Sequence, residues 1–209
     1  MSSSDHPFSQ ELRAERARDR RWAEAFANAC AQGDVDALYG ITDVLGGECI
    51  DGWRLALKKI LRQEPPSRNV QMALLQIWIE SKSVRLRVGD DLLTLRALRL
   101  LLPPYVGPPV KLYRGENVLK WRRRTYGMSW TADLNVARRF ARRPTHVSLE
   151  GGSLLLETLA PSEAIISTSH LIGDHYEEQE YMVDRRKLGP VKVLKRFAEI
   201  PLPMLARNE

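Results

Sequence analysis

The chain has 209 residues, 44% of them hydrophobic and 28% charged, and a net charge of +6. That composition excludes a fibre or a disordered tail, and the length suffices to bury one good core or two small ones. The longest apolar stretch, Leu92 to Val106, is interrupted by Thr94, Arg96 and Arg99 and closes in Pro103-Pro104, so no membrane span is expected.

In chain order, the first half reads as helices. Ser9 to Gln32 is rich in Ala, Arg and Glu, with Leu12, Trp22, Phe26 and Ala29 or Cys30 spaced along one helical face, and Gly33-Asp34 ends it. Helices are expected from Asp34 to about Leu45 and from Asp51 to Arg62, with Gly46-Gly47 between them and Asp51 as an N-cap. Pro65-Pro66-Ser67 breaks the chain again. Asn69 to Ser81 reads as a helix on Met72, Leu75, Ile77 and Trp78, and Asp90-Asp91 opens the last one, which runs to about Leu102. Residues 1–32 are read as an N-terminal basic/acidic helical extension, 33–105 as a helical lobe and 106–209 as a strand-rich core.

Three motifs in that second half each lie in strand-like sequence. Residues 112–115 are Leu-Tyr-Arg-Gly, residues 127–131 are Gly-Met-Ser-Trp-Thr, and residues 176–181 are Tyr-Glu-Glu-Gln-Glu-Tyr. Between them, Asp133 to Ala141 reads as a short helix with Leu134, Ala137 and Phe140 on one face. Gly151-Gly152 then makes a turn, and Ser153 to Leu159 is a strand. Taken singly, each motif also has an ordinary reading, as a surface Arg, a plain strand or a solvated acidic turn.

Positive charge is unevenly placed. Residues 1–105 hold 15 Lys plus Arg against 14 Asp plus Glu, and the remainder 17 against 12. Lys111, Lys120, Arg122, Arg123, Arg124, Arg138, Arg139, Arg142 and Arg143 lie around the Arg and Ser motifs, a field that would concentrate an anionic dinucleotide, an acidic protein or nucleic acid. Apart from Trp121 and Tyr126, aromatic residues interleaved for base stacking are lacking, so nucleic acid is not the expected partner.

Taken together and in this order, the motifs resemble the Arg-Ser-Glu signature of the mono-ADP-ribosyltransferases, over roughly Val110 to Val193. The resemblance implies an α+β fold in which an N-terminal helical lobe leads into a split, mostly antiparallel β core that clasps NAD. It implies transfer of ADP-ribose from NAD to a protein side chain with release of nicotinamide. The Glu-x-Glu form usually accompanies arginine as the acceptor.

Within that resemblance Arg114 is the expected anchor of the pyrophosphate, since its planar fork holds phosphate oxygens in paired hydrogen bonds. Glu180 is expected to stabilise the oxocarbenium-like ribose as the nicotinamide bond breaks. Glu178 would activate the acceptor guanidinium, with Tyr176 beside it as a contact for the target. Ser129 would hydrogen-bond the catalytic carboxylate and fix its rotamer. Tyr113, Gly115, Trp130, Thr131 and Phe140 complete the expected cofactor-binding set. The family's commonest hydroxyl motif is Ser-Thr-Ser, and here Trp130 stands at its centre, either lining the pocket or packing. NAD is expected as co-substrate.

Cys30 and Cys49 form no disulfide framework and no metal-ligand spacing, and His6, His146, His170 and His175 are scattered, so no metal is expected. Met1 to Pro7 lacks a basic start followed by an apolar run. A cytoplasmic protein, or a toxin, effector or phage-type modifier delivered to a target-cell cytoplasm by a non-classical route, fits these features. An inhibitor or antitoxin would be a natural partner. The alternatives are a glycohydrolase that depletes NAD, and a catalytically silent NAD-binding module.

Overall fold

In the computed structural model, which describes residues 7–80, 88–143, 145, 150–173 and 178–200, the chain forms two compact units, Met1–Pro103 and Pro104–Glu209. The first is helical: α1 (Pro7–Gln32), α2 (Val35–Gly47), α3 (Gly52–Ile60), α4 (Arg68–Glu80) and α5 (Asp91–Leu101). Caps set several of these starts. The Asp34 carboxylate accepts from the Ala37 amide, and that of Asp90 from the amides of Leu92 and Leu93. Each such cap is worth about 1 kcal/mol. Asp51 does stand at the N-cap of α3, but its carboxylate makes no capping bond and pairs instead with Arg54. A guanidinium three residues on is the stronger partner.

The helical core is closed by large side chains. Phe26 meets Trp53 edge to face at 5.3 Å, beside the buried Leu38, Leu45, Ile60 and Leu75. Burying each aliphatic side chain contributes about 1.5–3 kcal/mol. Across α1 and α3, Lys59 pairs with Glu24, and the Asp51 amide donates to the buried Asp19 carboxylate at 2.8 Å. Among the described residues, no helix is long and apolar enough to cross a membrane.

The second unit is built on β1 (Val110–Asn117), α6 (Val118–Arg122), β2 (Ser129–Thr131), α7 (Leu134–Ala141), β3 (Ser153–Ala160), β4 (Ile165–Thr168), β5 (Glu180–Val183) and β6 (Lys192–Phe197). The strands make one antiparallel sheet in the order β4-β5-β2-β1-β3-β6. The class is therefore α+β with an N-terminal helical region, as expected. The sheet is continuous, however, not split, because three-residue β2 pairs with β1 on one side and β5 on the other. Arg114 lies within its strand: β1 runs on for three residues beyond it, all paired with β3.

One face of this sheet carries the apolar core, formed by Leu112, Trp130, Leu154, Leu156, Tyr181 and Val183. Helix α7 lies on the other face. Ser153 donates its hydroxyl to the Ala141 carbonyl, and a Cβ on Gly115 would come within 2.7 Å of the Ala141 Cα. Gly115 is thus needed for the close approach of helix to strand. The residues of α7 that are buried are Val136, Ala137 and Ala141, while Leu134 and Phe140 are only half-buried. The buried stripe is rotated from the expected one because the helix seats its small residues, not its large ones, against the strand.

Candidate functional site

Strand order brings the three sequence motifs side by side, since β5, β2 and β1 are adjacent. Thr131 pairs with Glu180 on one side and with Tyr113 on the other. Directly opposite residues of antiparallel strands share a sheet face. Tyr113, Thr131 and Glu180 therefore form a row on the α7 face, with Ser129 two residues along β2 on the same side.

Glu180 is the first residue of β5 and is only 7% exposed. Its amide donates to the Ser169 hydroxyl at 2.9 Å, which fixes the strand's entry. Gln179 just before it has φ +40°, a left-handed conformation that turns the chain sharply between Glu178 and the strand. Glu178 is half-buried in that turn and lies 3.9 Å from the guanidinium of Arg143. Arg143 in turn stacks on Phe140, 3.7 Å from the ring centroid. The two carboxylates thus take different positions, one in the strand and one ahead of it. Arg143, two residues past the end of α7, and Phe140 lie on the Glu178 side. In the sequence Arg143 is marked only as one member of a general basic cluster.

The hydroxyl opposite Glu180 belongs to Thr131 rather than Ser129, whose own partner on β5 is Met182. Thr131 Oγ1 accepts the Asp133 amide at 3.0 Å, and Asp133 caps α7 through the amides of Asn135 and Val136. One short segment therefore links the candidate carboxylate to the start of the helix. Ser129 is exposed and diagonal to Glu180.

Arg114 sits elsewhere than expected. It alternates with Tyr113 along β1, which turns it to the face opposite Glu180. There its Nε donates to Glu116 at 2.9 Å and its Nη1 to the Ser129 carbonyl, and its side chain is only 15% exposed. Glu116 is fully buried and also accepts from the Gly127 amide at 2.9 Å and the Asn117 amide at 3.1 Å, with the Lys120 ammonium 3.9 Å away. Burial alone would raise its pKa. The Arg114 charge, the Gly127 amide and the Lys120 charge outweigh that and bring it down to about 2. A Cβ on Gly127 would fall into the Arg114 guanidinium, so glycine there leaves the room that the lock needs. No local pattern marks Glu116 in the sequence, because its partners come from β1, α6 and the loop before β2.

Trp130 packs, and does not line the site. It is 2% exposed on the core face, its Nε1 donates to the Gly127 carbonyl at 3.1 Å, and it meets Tyr126 edge to face. The site expected of Gly115 is taken up by α7, and Tyr113 is half-buried in the row. Tyr176 lies outside the described residues. Burial holds the Cys30 thiol up at about 12 and that of Cys49 at about 11, so neither is a ready nucleophile. Among the described residues, no group of three or more His, Cys, Asp or Glu side chains could hold a metal ion.

In comparisons with protein-family models, curated proteins and solved structures, nothing matches this chain.

Proposed function

We propose that the chain transfers ADP-ribose from NAD to a protein side chain, with arginine as the acceptor. One observation carries this reading: the register that aligns Glu180, Thr131 and Tyr113 in a row, with Glu178 one turn ahead of Glu180. The donors around that row suit the dinucleotide. Arg143 is a planar, exposed cation lying over the Phe140 ring, and can meet a pyrophosphate. In this reading Arg143 takes the anionic part of NAD, and Arg114, on the opposite face, braces β1 against β2.

The chemistry follows from the positions of the carboxylates. As the bond between nicotinamide nitrogen and ribose C1′ breaks, its electron pair leaves with nicotinamide and positive charge develops on the ribose. The carboxylate of Glu180, oriented by its strand, stabilises that charge. A guanidinium nitrogen of the acceptor then attacks C1′ and gives up a proton to Glu178. A role as toxin, effector or phage-type modifier belongs with this activity.

The test is incubation of the purified protein, in a lysate, with NAD labelled on the adenine side, alongside Glu180→Gln and Glu178→Gln. Labelled protein bands that vanish in both variants support transfer. Free ADP-ribose without labelled protein would replace this reading by NAD hydrolysis, and intact NAD would replace it by a binding module.

A further inference from the structure

The two edges of the sheet are treated differently. Strand β4 has all four residues buried, and the Tyr105 amide donates to the Ile166 carbonyl at 3.0 Å, so a preceding segment covers that edge. Strand β6, at the other end of the order, pairs only with β3 among the described residues. It presents Lys192, Lys195 and Arg196 exposed, and Leu194, 45% exposed, has no register partner because a bulge falls there. An edge strand offers a row of backbone N–H and C=O groups that another extended chain can use.

We propose that β6 receives an acidic, extended polypeptide segment as an added strand. Charge selects the occupant. A second copy of the chain would set Lys192, Lys195 and Arg196 against the same residues, which is repulsive. Of the nearest carboxylates, Glu157 stands in register opposite Lys192 and Glu199 accepts the Gly151 amide at 3.0 Å, which leaves Lys195 and Arg196 as the positive excess along the edge. Nucleic acid fits less well. The Phe197 ring has Arg142 and Lys195 each 5.5 Å from its centroid, and Trp121 has Arg196 at 5.4 Å, so cations already occupy the aromatic faces that bases would need. The surface does not depend on the transferase activity, and a partner bound there would leave the row of Glu180, Thr131 and Tyr113 untouched.

The experiment uses the full chain and labelled peptides of alternating Glu and Val, read by fluorescence anisotropy. Two further peptides carry the same charges but are N-methylated at odd or at even residues. Binding of the parent peptide should fall about tenfold or more with one methylated set and little with the other, because only one edge of an added strand pairs with β6. Lys192→Glu with Lys195→Glu should weaken it about tenfold or more, and salt should weaken it further. Equal binding of all three peptides would overturn the proposal, since the backbone would then play no part. So would stronger binding of duplex DNA, which would make the surface a nucleic-acid site. Absence of binding would leave the edge cations as a guard against strand pairing, and also overturn it.

Discussion

The Glu116 lock makes a quantitative prediction about acid stability. A carboxyl held at about 2, against 4.5 for a free glutamate, has its ionised form favoured in the folded state by about 3 kcal/mol. Because the folded value is depressed, that stabilisation is complete above about pH 4.5 and is lost as the pH falls towards 2. Glu116→Gln keeps the size and removes the charge, leaving Arg114 without its carboxylate. Opening of β1 and β2, followed by amide hydrogen exchange at Gly127 and along both strands, should be easier by about 3 kcal/mol at pH 7. The gap between variant and wild type should shrink below pH 4.5 and close near pH 2, where Glu116 itself becomes neutral. A variant that protects these amides as well as wild type at pH 7, or a gap that does not change with pH, would refute the account of the lock.

Gly115→Val places a branched side chain against the backbone of Ala141, which cannot shift easily, and should destabilise the second unit by about 2–4 kcal/mol in urea unfolding. Glu180→Gln should lower nicotinamide release about 100-fold or more without changing the circular dichroism spectrum. Arg143→Ala should raise KM for NAD about tenfold or more, with partial recovery in Arg143→Lys, whereas Arg114→Ala should show first as lost stability. Cys30 and Cys49, both buried, should resist a thiol reagent at pH 8 and react within minutes in denaturant.

The helices could be read from the sequence because capping residues and apolar periodicity act locally. Asp34 and Asp90 behave as their positions suggest, and Asp51 does not, since Arg54 competes for it. The motif strands were legible as motifs, but their faces were not. Whether Arg114 or Tyr113 looks towards Glu180 depends on a one-residue register between β1 and β2, which the chain's composition does not encode. Glu116 escaped for a similar reason: a buried carboxylate two residues past an Arg looks like any solvated charge until Gly127 is brought beside it. Strand β6 was hidden by its own bulge, because Leu194 breaks the alternation that would have marked Lys192 to Phe197 as a strand.

Tyr105 has a practical consequence for anyone cutting the chain. Its amide bonds the outer edge of β4, its hydroxyl donates to the Pro108 carbonyl at 2.8 Å, and its ring meets Tyr181 edge to face at 6.1 Å. A fragment that begins at Pro104 keeps this clasp, while one that begins at Gly107 strips it and bares Ile165 and Ile166 along an unguarded strand. Two fragments differing by three residues should therefore differ in solubility, the shorter one gathering into aggregates through the edge that the longer one shields.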